Sequence, residues 1–251
     1  MLAEERQQKI LAALNEKSIL KLQEICNLTG CSAASARRDL NQLEKQGLLL
    51  RVHGGAKAKH SLQQEPDMTG KSLKNILQKK SIAKYAAALI QKEDVIYLDA
   101  GTSTLAMITF LNEKLQLTVV TNGVMHASAL ADRNIRTILI GGELKNTTKA
   151  IVGIDAIKGL SRYRFNKVFL GMNGVHLKYG YTTPDPSEAA VKATASQQGS
   201  ETFVLADDSK FGQVSFVKVA DLAAATVITN KLPRSVFNKY SNQTIIREVS
   251  L

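Results

Sequence analysis

Cysteine is nearly absent: only Cys26 and Cys31 occur, with four residues between them and no other cysteine or histidine near. That excludes a disulfide framework and a zinc site, and leaves two small packing residues with no metal implied. Long apolar runs are missing too. No stretch approaches the roughly 18 uninterrupted apolar residues of a membrane span, and residues 1–15 mix acids with bases and lack the apolar core of a signal peptide. The expectation is a cytoplasmic protein without a membrane partner. No heptad pattern marks a coiled coil, so any oligomer must form through another surface. What is present is ordinary globular composition: 251 residues with 44% hydrophobic content, enough for two domains with buried cores.

The charge is one-sided. The chain carries 33 Lys/Arg against 22 Asp/Glu, a formal +11, which points to a polyanionic partner because clustered cations displace condensed counterions from phosphates. Residues 1–80 hold net +6 and the remaining two thirds only +5, so the basic density is N-terminal.

Ile10, Leu11 and Leu14 recur on one face of a helix over residues 4–15, and Leu22, Ile25 and Cys26 repeat the pattern in a short second helix. Thr29-Gly30-Cys31 breaks it. Ser32 can cap a third helix running to about Gln46 and stopped by Gly47. Two short helices joined by a tight glycine turn form a helix-turn-helix. In the third helix Ala36, Leu40 and Leu43 share the inward face, whereas Ala34, Ser35, Arg38, Asn41, Gln42 and Lys45 face out with Arg37 on the flank. Beside the capping Ser32, this outward face suits the major groove of double-stranded DNA, with Ser35 and Arg38 placed for bases and Arg37 and Lys45 for phosphates. Residues 48–55 then read as a β-hairpin wing carrying Arg51 and His53. The alternative for the cations is a solvated helix face; the order and spacing of turn, cap, apolar triad and wing argue against it.

The strings Arg37-Arg38-Asp39-Leu40 and Arg51-Val52-His53-Gly54-Gly55-Ala56, with Glu5-Arg6-Gln7, Leu43-Glu44 and Gly47-Leu48, resemble the DNA-binding domain of the DeoR family. Residues 33–38 depart from the Glu-Glu-Thr-Ile-Arg-Arg of many members, which bears on base preference.

Residues 58–80 are polar and basic, contain Pro66 and Gly70, and read as a linker between domains at 1–57 and 81–251. From Ser81 helices alternate with short apolar strands: a helix at 82–91, a strand at 95–98, a helix at 105–111, a strand at 117–120, a helix at 124–131 and a strand at 137–140. Further strands follow near 168–170, 203–205, 227–229 and 244–247. This is the rhythm of an α/β domain with a parallel sheet, whose ligands sit beyond the carboxyl ends of the strands. Asp99-Ala100-Gly101-Thr102-Ser103-Thr104 lies at such an end. Gly101 permits close backbone approach, and the three hydroxyls can donate to one phosphate. Thr121 and Asn122, Asn173, and the segment holding Thr183, Asp185 and Glu188 also follow strands and can bond sugar hydroxyls, while Lys210 adds positive charge. Taken singly, Asp185, Ser187 and Glu188 read better as caps of a helix reaching about Gln198; Lys192 reads as decoration of its exposed face and residues 207–212 as a surface turn.

Residues 99–104, 119–122, 140–142, 152–153, 180–185, 205–207 and 209–212 resemble the DeoR-family sensor domain. The resemblance implies a fold similar to ribose-5-phosphate isomerase, no cofactor, and a repressor of a carbohydrate operon released by a phosphosugar. Residues 99–108, 121–126, 147–150 and 182–186 look most like the fructose-operon repressors, implying fructose 1-phosphate as inducer; tagatose 6-phosphate is an alternative. Symmetric operators imply a homodimer or homotetramer. An isomerase would use Glu188 or Asp185 as base. Against it, the loop where isomerases carry an Asp-Gly-Ala-Asp string reads Gly171-Met172-Asn173-Gly174, so the expectation is no enzyme. A third reading is a constitutive DNA binder whose C-terminal domain only oligomerises.

Overall fold

The computed structural model describes residues 2–17, 19–58, 62 and 68–250, and the chain divides into compact units at 1–61 and 62–251. In the first unit, helix α1 (Ala3–Lys17) leads to strand β1 (Ile19–Lys21), α2 (Leu22–Thr29), α3 (Ala33–Lys45), β2 (Leu49–Val52) and β3 (Gly55–Ala58). Ile10, Leu14, Ile25, Ala36, Leu40 and Leu43 pack with Leu20, Leu49 and Ala56 into one core, and Leu11, Cys26 and Cys31 are half-buried against it. Ser32 caps α3 by accepting from the Ser35 amide. The expected hairpin is present as antiparallel β2 and β3. The sequence reading missed β1, which pairs with β3 on its other edge; three residues between two helices carry too short a pattern to read. The same strand explains the paired glycines. Gly54 turns with φ +77°, and a Cβ at Gly55 would stand 2.1 Å from the Leu20 carbonyl, so only glycine lets β3 lie against β1.

The second unit opens with α4 (Met68–Ser72) and α5 (Ile76–Ala88), so the latter half of the stretch expected as a linker is helical, while Pro66 lies outside the described residues. The helix expected at 82–91 starts six residues earlier. Its first residue follows Asn75, held at φ 51° with no local cap, and its side chain bonds Asp207 and Ser209 instead. A tertiary anchor thus replaces the start signal. Then come β4 (Val95–Leu98), α6 (Thr102–Ile108), β5 (Thr118–Thr121), α7 (Val124–Ala131), β6 (Arg136–Leu139), β7 (Glu143–Lys145), β8 (Ala150–Val152), α8 (Ile154–Leu160) and β9 (Phe165–Gly171). The chain continues through β10 (Gly174–His176), β11 (Gly180–Thr183), α9 (Pro186–Gln198), β12 (Gly199–Leu205), β13 (Val217–Ala220), β14 (Thr226–Asn230), α10 (Arg234–Tyr240) and β15 (Ile246–Val249).

Seven strands form one sheet, ordered β15-β14-β12-β9-β4-β5-β6, and every neighbouring pair is parallel. Side chains alternate between its faces. Ile96, Leu98, Val119, Phe169 and Ile228 enter a core with Ile82 of α5, Met107 of α6 and Leu130 of α7. Tyr97, Val120, Val168, Leu170 and Val227 enter a second core with Leu160 of α8, Val191 of α9 and Tyr240 of α10. Burial on both faces is why the strands read as continuous apolar runs. The β7–β8 hairpin and the β10-β11-β13 sheet, both unforeseen, extend the unit.

Candidate nucleic-acid interface and effector site

One turn of α3 splits the Arg37-Arg38-Asp39-Leu40 string between two roles. Arg37 and Arg38 point to solvent, whereas Asp39 and Leu40 point into the core. Asp39 takes a two-pronged ion pair from Arg6 of α1, Nη2 to Oδ1 at 3.0 Å, and Gln7 Nε2 donates to Gln42 Oε1 at 3.0 Å. Two side chains of α1 thereby fix the rotation of α3 about its axis. Ser32, Ala34, Asn41 and Lys45 are exposed, Ser35 is half-buried, and His53 is exposed at the hairpin turn. Arg51 is committed: its amide donates to Glu44 Oε1 at 2.9 Å, and Nη1 donates to Asn41 Oδ1. The wing is therefore latched to the C-terminal half of α3, which sequence spacing alone did not indicate.

In the second unit residues 99–104, Thr121 and Asn122, Asn173 and Lys210 end or follow β4, β5, β9 and β12, neighbours in the order β12-β9-β4-β5, whereas Thr183, Asp185 and Glu188 end or follow β11 of the three-stranded sheet. Several are spent on the protein itself. Asp99 is buried, accepts the Gly171 amide at 3.0 Å, and is ion-paired to Lys192. Lys192 is thus a buried partner, not decoration of an exposed helix face; the helical pattern of α9 could not reveal a carboxylate on a distant strand. Thr104 is fully buried, with its hydroxyl donating to the Asp99 or Gly101 carbonyl and accepting from the Gly101 amide at 3.1 Å. Thr121 donates to the Leu98 carbonyl at 2.7 Å and accepts from Gly123 N at 3.0 Å. Asn122 takes Tyr97 Oη at 2.8 Å and Ala100 N at 3.1 Å, and gives Nδ2 to the Ile151 carbonyl at 3.1 Å. Thr183 donates to Asn173 Oδ1 at 3.1 Å. Gly101 has an ordinary φ of −103°; a side chain there would meet Thr104 Oγ1 at 3.3 Å and Gly171 Cα at 3.5 Å, so its small size serves the approach of two loops.

Helix α6 begins at Thr102, three residues earlier than expected, so Thr102, Ser103 and Thr104 are its first turn. Among the described residues, the hydroxyls of Thr102 and Ser103, Asn173 Nδ2 and the Lys210 ammonium have no hydrogen-bond or ion-pair partner within the chain. Asp185 caps α9 by accepting the Glu188 amide at 2.8 Å, and Lys145 lies 3.1 Å from both carboxylates. Burial alone would raise the Asp185 pKa; the Glu188 amide and Lys145 outweigh it and hold it below its ordinary value. Glu188 Oε1 also accepts Thr148 Oγ1 at 2.6 Å. Lys145 and Thr148 were not foreseen as site residues, and neither was His126, whose Nε2 lies 3.1 Å from both Thr104 Oγ1 and the Gly101 carbonyl.

A three-helix unit with a latched wing, followed by a parallel α/β unit with open polar groups at its strand ends, is the build of a transcriptional regulator with a sensor. Residues 6–62 match the DeoR-like helix-turn-helix domain and residues 74–231 the DeoR C terminal sensor domain, and the chain belongs to the DeoR family of DNA-binding transcriptional regulators. It is 46% identical to the uncharacterized HTH-type transcriptional regulator FruR of Bacillus subtilis, over 99% of each chain. It is 34% identical to the HTH-type transcriptional repressor GlcR of the same organism, over 94% of this chain and 92% of that one. Ribose 5-phosphate isomerase A of Methanocaldococcus jannaschii overlays 55% of each chain at TM-score 0.42 and 19% identity, too slight a likeness to bear on function. No helix among the described residues is long and apolar enough to cross a membrane.

Proposed function

We propose that the protein is a cytoplasmic, oligomeric repressor of a sugar-utilisation operon, released from its operator by a phosphosugar. The fructose operon and fructose 1-phosphate are the favoured case. The observation that carries the effector reading is the division of labour at the strand ends: Thr102, Ser103, Asn173 and Lys210 have no partner in the chain, and the groups beside them are spent on the turns that carry Thr102, Ser103 and Asn173. Hydroxyls with an ammonium suit a phosphate, and the amide with the Lys145-Asp185-Glu188 cluster suits sugar hydroxyls. Asp99, Thr104, Thr121, Asn122 and Thr183 serve as supports for these turns. Arg37, Arg38 and Lys45 face DNA directly, with Ser32, Ala34 and Ser35 close to it at the N-terminal end of α3. Asn41 and Arg51 set the wing, and His53 extends from its tip.

The isomerase alternative needs a free carboxylate base, yet Asp185 and Glu188 are held by Lys145, the cap and Thr148, and Asp99 by Lys192. Repression is also what the GlcR relative does by name. The test is fluorescence anisotropy of the protein on its own upstream DNA, titrated with fructose 1-phosphate, fructose 6-phosphate, tagatose 6-phosphate and ribose 5-phosphate. Release by fructose 1-phosphate alone is expected. Release by another sugar corrects the inducer, and binding indifferent to all four overturns the sensor reading.

A further inference from the structure

The stretch that carries the chain into the α/β unit is tied down at three points, each beside a different part of the effector site. At its start, the Met68 amide donates to the Thr147 carbonyl at 3.2 Å, in the turn whose next residue, Thr148, bonds Glu188. In its middle, the Lys71 carbonyl accepts the ammonium of Lys79, and α4 lies near α6, whose first turn presents Thr102 and Ser103. At its end, Asn75 Nδ2 donates to Asp207 Oδ1 at 2.9 Å and lies 3.3 Å from Ser209 Oγ, in the turn that carries Lys210. Asn75 is in the left-handed region, φ 51°, a conformation that a side-chain anchor can hold and a plain helix start does not need.

We infer that residues 68–75 form a strap through which occupancy of the effector site reaches the DNA-reading unit, with Asn75 as its positioning residue. The inference rests on the phosphosugar reading above. A ligand that engages Thr102, Ser103 and Lys210 acts on the α6 turn, near which α4 lies, and on the 207–210 turn, to which Asn75 is bonded. Toward the N-terminus the chain continues into the reading unit, residues 1–61, so residues 68–75 are the part of the α/β unit through which the covalent connection passes. Lys79 strengthens the link. Burial pushes its ammonium down to about 8, Asp207 opposes that, and Lys210, Lys71 and Lys74 add to it. An anion arriving beside Lys210 favours the charged form and competes with the Lys71 carbonyl for its protons.

The test uses the full chain with fructose 1-phosphate, or whichever of the four sugars calorimetry shows to bind. Hydrogen exchange of peptides spanning residues 68–80 should change at least several-fold at saturating sugar. Asn75→Gly removes the anchor while keeping the backbone conformation accessible. It should bind sugar within about threefold of wild type, yet its DNA affinity should respond to sugar by less than about twofold, where wild type responds within the roughly 5- to 150-fold range typical of coupled sites. Unchanged exchange in the strap at saturation, or normal release of Asn75→Gly, overturns the strap while leaving the effector site standing. If none of the four sugars binds wild type, the effector reading itself falls and takes the strap with it.

Discussion

His126 is the residue on which the turn from Gly101 to Thr104 rests. Its Nε2 faces the Gly101 carbonyl, which can only accept, so Nε2 carries the proton and Nδ1 is left as a buried acceptor with no partner. Burial pushes the imidazole down to about 4, Asp99 and the Gly101 carbonyl resist, and Lys192 adds to the depression. The folded pKa lies below the unfolded value of 6.5, so as pH falls the unfolded chain binds the proton first. The stability contributed by the neutral ring is complete above pH 6.5 and drains away toward pH 4, about 3 kcal/mol in all at about 1.4 kcal/mol per pH unit. His126→Gln keeps a donor but cannot titrate, so between pH 7 and 4.5 it should lose about 2 kcal/mol less than wild type in urea unfolding. Tyrosine fluorescence is the probe, since all six tyrosines lie between residues 85 and 240; parallel pH curves would remove the assignment. Lys192 gives a second test by the same method. Lys192→Met leaves the Asp99 carboxylate buried without its cation, and a loss of about 3 kcal/mol or more is expected, where a solvent-exposed lysine costs next to nothing.

At the scale of elements, α3 reads by register. Successive side chains are about 100° apart, so the Arg-Arg-Asp-Leu string delivers two cations outward and an ion-pair partner and a core residue inward. Arg37→Ala and Lys45→Ala should each reduce the slope of log affinity against log salt by about 0.9 without altering operator preference. Arg38→Ala should cost about 1–3 kcal/mol and relax preference at one base position. An equal loss on every sequence would move Arg38 to the phosphates. The register of α3 was legible because apolar spacing determines it. So were β4 and α7, found at the residues expected, because a strand buried on both faces and a helix packed on one announce themselves by composition. What escaped was set by tertiary partners. The start of α5 depends on Asp207 and Ser209, Lys192 is buried because Asp99 waits opposite, and β10, β11 and β13 are three- or four-residue strands that exist through pairing with one another. At the candidate site the sequence could not tell a hydroxyl that is spent, as in Thr104, from one without a partner in the chain, as in Ser103.

At the scale of the whole molecule, sugar and operator are linked through the chain that binds both. A sugar that lowers DNA affinity can do so only by its differential affinity for two arrangements of the chain, and DNA must then weaken sugar binding by the same factor. A thirtyfold release of operator by saturating fructose 1-phosphate, for example, requires the operator-bound protein to bind the sugar thirtyfold more weakly, about 2 kcal/mol of coupling. The prediction is checked by calorimetric titration of sugar into free protein and into protein saturated with operator duplex, beside anisotropy of the duplex with and without sugar. Equal factors are required of any equilibrium mechanism, and their size gives the coupling free energy. The same equal factors would follow if release proceeded by dissociation of subunits or by competition of the phosphate for the basic face of α3, so each of these has its own mark. Subunit dissociation is recognised by a dependence on protein concentration. Competition for Arg37, Arg38 and Lys45 is recognised because inorganic phosphate at the same ionic strength would then release the operator as well as the sugar does.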